Sequence, residues 1–214
     1  MTQEINLKEL EKKAFRSYHE DGIWDIFLGL ILMAIAVNAF LSKIGVSELQ
    51  TMIVFVGLEM VAMIFLIVGK KHITVPRIGH VKFGAMRRAK LAKVRIVLAL
   101  SVIFGLVALV AGVAMQGDPS GVVRPGILFP LVWMATTLIV FGLMAYFMDF
   151  PRLYIIAILY AATVPITEVL IEFVGIAVGY IVFGIAAAII LVMGLVILSR
   201  FLHDHPLPAE EVEL

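Results

Sequence analysis

No cysteine occurs in the 214 residues, which excludes disulfides, thiolate metal sites and a cysteine nucleophile. Charge is scarce too: 15% of residues are Asp, Glu, Lys or Arg against 62% hydrophobic, whereas soluble domains run to roughly a quarter charged and half apolar. A soluble domain is excluded on that ground, and the chain reads as an integral membrane protein. The first twenty residues lack a short apolar core followed by a small-residue cleavage site, so no removable signal peptide is expected. Also missing are a serine nucleophile elbow, a phosphate-cradling glycine loop and a zinc-protease helix. No cofactor is implied, and an enzyme is the less favoured reading.

What is present is a series of apolar runs. A helix needs about 20 residues at 1.5 Å each to cross the hydrocarbon core, and runs of that length lie near 22–42, 49–69, 95–116, 126–148, 152–174 and 177–201. None alternates polar and apolar residues as barrel strands do, and backbone polar groups in lipid must be satisfied within each segment. The expected fold is all-α, a bundle of six transmembrane helices. Its three parts are a cytoplasmic interfacial segment at 1–21, a membrane domain at 22–201 with a cytoplasmic basic loop at 70–94, and a tail at 202–214.

Orientation follows from the basic residues, which concentrate in short cytoplasmic loops. Lys8, Lys12, Lys13 and Arg16 precede the first run. Lys70, Lys71, Arg77, Lys82, Arg87, Arg88, Lys90, Lys93 and Arg95 follow the second, and Arg152 and Arg200 flank later ends on the same side. Only Lys43 and Arg124 fall opposite. Both termini are therefore expected in the cytoplasm. The cations of the basic loop suit anionic lipid headgroups, at roughly 1 kcal/mol each near the surface, and no nucleic-acid-binding fold accompanies them.

The segments between runs carry local signals. INLKELEKKAFRSY spaces Leu7, Leu10, Ala14 and Tyr18 three or four apart, and Asn6 with Glu9 has capping-box spacing, so a short amphipathic interfacial helix is expected. KKHITVPRIGHVKF places β-branched residues around Pro76 and Gly79, which favours an extended strand and turn. AMRRAKLAKVR reads as a basic helix leading into the third run. The tail PLPAEEVEL has little to bury.

The most unusual stretch is HEDGIWD, where His19, Glu20, Asp21 and Asp25 crowd the mouth of the first span. Asp21 suits the N-cap, and Asp21 and Asp25 are four apart on one helix face. The positive end of the helix dipole favours both carboxylates, with Arg77 or Lys82 as countercharges. The alternative is a divalent-cation or headgroup site that adds Asp149, since oxygen ligands on one face suit Mg2+ or Ca2+; whether a metal binds is left open. YHEDGIWDIFLGLIL followed by TVPRIGHVKF resembles a pattern in prokaryotic multi-span membrane proteins of uncharacterised function, with an acidic DG motif before the first span and a PRxGxVKF segment after the second. The resemblance rests on Tyr18, Asp21, Gly22, Asp25, Gly29, Pro76, Arg77, Gly79, Val81, Lys82 and Phe83, about a quarter of the chain, and implies a prokaryotic cytoplasmic membrane but no activity. The chain departs from the phosphatidyl-alcohol transferase pattern, because the paired aspartates downstream of its DG pair are missing.

Inside the membrane, Glu59 lies about ten residues from either end of the second run, near the midplane of a hydrocarbon core about 30 Å thick. No Lys or Arg sits in the interior of any run to neutralise it. A charge there costs at least a few kcal/mol, so a neutral acid, a hydrogen bond to another helix or contact with a cation or water is expected. Asn38, Ser101, Thr136 and Thr137 are possible partners. In the fifth run Pro165 frees the Ala161 carbonyl, and Glu168 and Glu172 follow on one face, as in the broken helices of transporters; alternatively they sit at the outer interface beside Arg124 or Lys43. Gly175 and Gly179 form a GxxxG that packs within the bundle or joins a homodimer. His203, Asp204 and His205 are adjacent on a tail and make a weak metal cluster.

Three functions remain. The first, and the favoured one, is a transport or permeation component for a small solute or cation, with Glu59, Asn38, Glu168 and Glu172 on a polar path. The second is a non-catalytic scaffold or partner subunit. The third is a lipid-headgroup enzyme working through Asp21, Asp25 and His19.

Overall fold

The computed structural model describes residues 20–78, 85–115, 125–174 and 178–206. Every regular element among them is helical: α1 (Ile23–Lys43), α2 (Glu48–Ile78), α3 (Ala85–Met115), α4 (Pro125–Met148), α5 (Arg152–Val174) and α6 (Gly179–Asp204). Five of them, all but α3, are long and apolar enough to cross a membrane. The third expected span lies within α3, whose side chains are described only in part. The expected interfacial helix at the N-terminus and most of the tail lie outside the described residues.

The chain divides into two compact units. The first comprises residues 1–83 and 187–214, and so holds α1, α2 and most of α6. Here α1 packs along α2. The hairpin between them is specified locally. Gly45 takes a left-handed conformation at φ 83°, Val46 N donates to Leu41 O and Gly45 N to Ser42 O, and the last carbonyls of α1 are thereby satisfied in a Schellman motif. Two residues later Ser47 caps α2, its hydroxyl accepting from Gln50 N while it donates to Gln50 Oε1. Ser and Gln three apart are the capping-box pair.

One correction concerns the stretch from Lys70. The strand and turn expected there are, as far as Ile78, helix. α2 runs α-helically to Gly69, widens into a π-helical turn over Lys70–Thr74 and closes with an α turn at Val75–Ile78. The π turn explains how a helix passes Pro76, since Val75 N bonds back to Lys70 O. Proline lacks the donor an α-helix would need and crowds the carbonyl four residues back. A wider turn relieves the crowding, and Pro76 falls at the start of the final α turn, where a free N–H is normal. Gly79 to Phe83 lie outside the described residues.

α1 also touches α6 at glycines. A Cβ on Gly194 would lie 2.8 Å from Ile26 N and 3.1 Å from the Asp25 Cβ, and one on Gly29 would lie 2.8 Å from Leu191 Cγ. Only residues without side chains allow such approach.

The second unit, residues 84–186, holds α3, α4, α5 and the beginning of α6, with α4 packed on both α3 and α5. The basic segment does run unbroken into the apolar one as α3. Asp149, at φ 52°, ends α4 in the left-handed region, and Phe150 N bonds back to Ala145 O. Trp133 Nε1 on α4 donates to Tyr160 O on α5 at 3.0 Å. That carbonyl also accepts from Thr163 Oγ1 at 2.7 Å; it lies one residue before Ala161, whose carbonyl loses its helical donor at Pro165.

Candidate functional site: a buried acid at the mouth of α1

Asp21 precedes α1 and has no exposed surface. The residue at the helix cap is Gly22, at φ 78°, one position later than the N-cap expected at Asp21. Glycine is required here twice over. The left-handed conformation disfavours other residues, and a Cβ would lie 2.5 Å from Gly194 O and 2.8 Å from Leu198 N on α6. That kink turns Asp21 inward. Its Oδ1 accepts from Ile23 N at 3.1 Å, satisfying one of the free N–H groups at the helix start. Its Oδ2 accepts from Lys70 Nζ at 2.7 Å and from Thr74 Oγ1.

The cation is therefore Lys70, from the π turn of α2. The sequence points instead to Arg77 or Lys82 as the countercharge. Arg77 Nη1 instead donates to Ile73 O at 3.0 Å on its own helix, and its Nε is buried without a hydrogen-bond partner among the described residues. Lys82 and His19 lie outside the described residues, and Glu20 is exposed. Lys70 and Thr74 are four apart across the widened turn, and both reach one carboxylate oxygen. Asp25, one turn further along α1, is likewise fully buried and lies against Gly194. Trp24 meets Phe27 edge-on at 5.7 Å, with Nε1 buried and lacking a hydrogen-bond partner among the described residues. A carboxylate with three donors and no exposed surface can hold helices together. With its surface fully buried, it offers no accessible face to a substrate.

The intramembrane acid stands differently. Glu59 is half-buried on α2, and no hydrogen bond or ion pair reaches it from the described residues. Asn38 is half-buried on α1, where its backbone O accepts from Ser42 Oγ at 3.0 Å. Ser101 Oγ donates to Leu98 O on its own helix. Thr136 and Thr137 are half-buried in the second unit, and Glu168 and Glu172 are exposed there. Asp149 accepts from Lys90 Nζ at 3.2 Å. Gly175 and Arg124 lie outside the described residues, while Gly179 faces Thr167 within the chain, its Cβ position 3.3 Å from Thr167 Cγ2.

His203 Nδ1 and Asp204 Oδ1 are 3.3 Å apart and exposed, and His205 stacks on Phe201 at 4.8 Å. No group of three metal-ligating side chains occurs among the described residues. The second unit has an apolar groove of about 510 Å3 between α3 and α4, lined by residues such as Val97, Leu100, Leu131 and Ile139, with Ser101 and Thr136 as its polar members. No protein-family model, curated protein or solved structure matches this chain.

Lys70, Thr74 and Gly194 are not evident as site residues from the sequence. Lys70 falls in the basic loop there, because the apolar run ends at Gly69. The available signal was local: Lys70 directly follows Gly69 and stands four residues before Thr74, a hydroxyl at a spacing that can share one partner.

Proposed function

We propose that the chain is a non-catalytic membrane scaffold or partner subunit, with six spans and both termini in the cytoplasm of a prokaryote. One observation carries this reading: the DG motif, its most reactive-looking stretch, is closed, with Asp21 at zero exposure and bound by Ile23 N, Lys70 and Thr74. An enzyme working on headgroups needs an acid that headgroups can reach. Here the acid joins the start of α1 to the end of α2, and neighbouring glycines seat α6 on α1. The polar residues then serve assembly, as buried polar groups in membrane bundles commonly do. Placement in the cytoplasmic membrane rests on the sequence resemblance and on the cations before α1 and after α2, which also suit anionic headgroups.

A second reading, permeation of a small solute or cation, is favoured by Glu59, a mid-span acid with no cation beside it among the described residues. Such residues commonly mark ion pathways. The two separate in proteoliposomes. A scaffold gives solute and cation flux equal to empty vesicles, and Asp21→Asn or Asp25→Asn lowers folded yield only. Flux in the parent protein that disappears with Glu59→Gln would replace the scaffold by a permeation component.

A further inference from the structure

The groove between α3 and α4 belongs wholly to the second unit, and its end toward the basic start of α3 differs in chemistry from its length. Along the length the walls are aliphatic: Leu100, Leu131 and Ile139 keep 59%, 52% and 61% of their surfaces open, and Ser101 turns its hydroxyl to Leu98 O on its own helix. At the end stands a cation. Lys93 is four residues before Val97, on the face of α3 that also carries Leu100 and Ser101. Its Nζ lies 5.7 Å from the centre of the Phe147 ring, one turn beyond Leu143 on α4. No hydrogen bond or ion pair reaches that ammonium from the described residues. Asp149 is engaged by Lys90, and α3 itself holds five Lys or Arg at 87–95 and no acid.

We infer that the groove seats one acyl chain of a single anionic phospholipid, whose phosphate meets Lys93. The occupant must be apolar along its length and negative at one end, and a phospholipid of that charge is both. From Leu131 to Leu143 the groove follows twelve residues of α4, about 18 Å at 1.5 Å each, close to one leaflet of a hydrocarbon core about 30 Å thick. A protein helix laid there could cover the aliphatic walls, but would leave the ammonium unanswered at the level where phosphates are the prevailing anions. The excess of cations at 87–95 selects a net-negative headgroup over a zwitterionic one, whose own ammonium it repels. The Phe147 ring steadies the Lys93 side chain at the mouth before the lipid arrives. The inference goes beyond the scaffold reading and needs from it only the membrane placement; it holds equally for a permeation component.

Native mass spectrometry of the full chain, released from detergent, tests this with phosphatidylglycerol and phosphatidylcholine of the same acyl chains. One phosphatidylglycerol per chain is expected, bound about fivefold more tightly than phosphatidylcholine. Lys93→Met should weaken phosphatidylglycerol by about the same factor, the worth of one basic residue near the surface, and Lys93→Arg should bind like the parent. Ala135→Phe keeps every charge and fills the groove, and should weaken binding at least as much. Arg95→Met removes the same charge from a different face of α3, two residues along, and should change binding by less than about twofold. Phosphatidylglycerol with a photoreactive group midway along its acyl chain should label the unaltered chain at 97–101 or 131–143.

Equal binding of the two lipids, a Lys93→Met loss matched by Arg95→Met, or an Ala135→Phe variant that binds like the parent would each overturn the proposal. So would a chain that binds no lipid, because protein must then fill the groove. The labelling pattern in the unaltered chain decides even if Ala135→Phe fails to fold: adducts confined to other segments refute the seat. Flux reports on the separate question of function. A chain that binds no lipid and passes no solute sinks the lipid seat and leaves the scaffold standing, and a lipid-bound chain whose flux depends on Glu59 does the reverse.

Discussion

Two acids of the first unit show opposite treatments of the same problem. Asp21, at the mouth of α1, is fully buried and bound by a lysine, a threonine and a backbone N–H. Glu59, deep in α2, receives none of these from the described residues and keeps part of its surface open. Burying a carboxylate is tolerable only when countercharge and donors replace the lost water. At Asp21 the chain supplies them internally and the acid becomes architecture. At Glu59 no described residue supplies them, and part of its surface stays open. Exposure and partners, more than depth, distinguish the two acids.

The largest effect that would break this comparison falls on Lys70. Lys70→Met should leave Asp21 as an uncompensated buried charge and cost about 3–5 kcal/mol, read as loss of folded yield or a large drop in the thermal midpoint in detergent. Asp21→Asn should cost less, because the amide still accepts from Ile23 N and the Lys70 side chain, 10% exposed, can extend toward the headgroups. The double variant should recover part of the Lys70→Met loss. If Lys70→Met is harmless, Asp21 is not held by its countercharge and the contrast with Glu59 fails.

How much of this could be foreseen is itself a matter of which forces act locally. Helix positions were legible: the runs at 22–42 and 152–174 became Ile23–Lys43 and Arg152–Val174, because length and hydropathy decide what spans lipid. The extension of α2 beyond Gly69 was not. Pro76, Val75 and Ile73 oppose a helix by local propensity, but the ion pair and hydroxyl bond to Asp21 hold the π turn, and the residue at one end of that contact is 49 positions from the other. Of the site, the acids were legible as chemistry, and their partner was not. The Gly22 and Gly194 contact was equally hidden, since a glycine reveals close approach only once the facing helix is known.

The next effect down tests that contact. Gly22→Ala places a Cβ on a residue at φ 78° and within 3 Å of two backbone atoms of α6, which combines strain with overpacking at about 2–4 kcal/mol. The expected result is a lower midpoint and loss of the Asp21 geometry, visible as faster proteolysis in the first unit. A wild-type midpoint would mean that α1 and α6 can separate at no cost.

A second ion pair offers a milder control. Lys90 and Asp149 meet at 3.2 Å with side chains 33% and 28% exposed, against 10% and 0% for Lys70 and Asp21. Water and salt screen the more open pair, so Lys90→Met should cost at most about 1 kcal/mol, and added salt should narrow the difference from the parent. A loss matching that of Lys70→Met would show that exposure is not what separates the two.

The smallest effect is expected on the open side of α2. A Cβ on Gly57 meets nothing within 4 Å. Alanine there removes the conformational freedom that glycine loses on folding, worth about 0.5–1 kcal/mol in favour of the helix. Gly57→Ala should therefore leave the midpoint in detergent unchanged or slightly raised, where Gly22→Ala lowers it steeply. Both substitutions add one methyl group to a glycine of the same unit, so the difference between them measures the local packing. Should Gly57→Ala instead destabilise as strongly as Gly22→Ala, a protein neighbour must fill that face of α2.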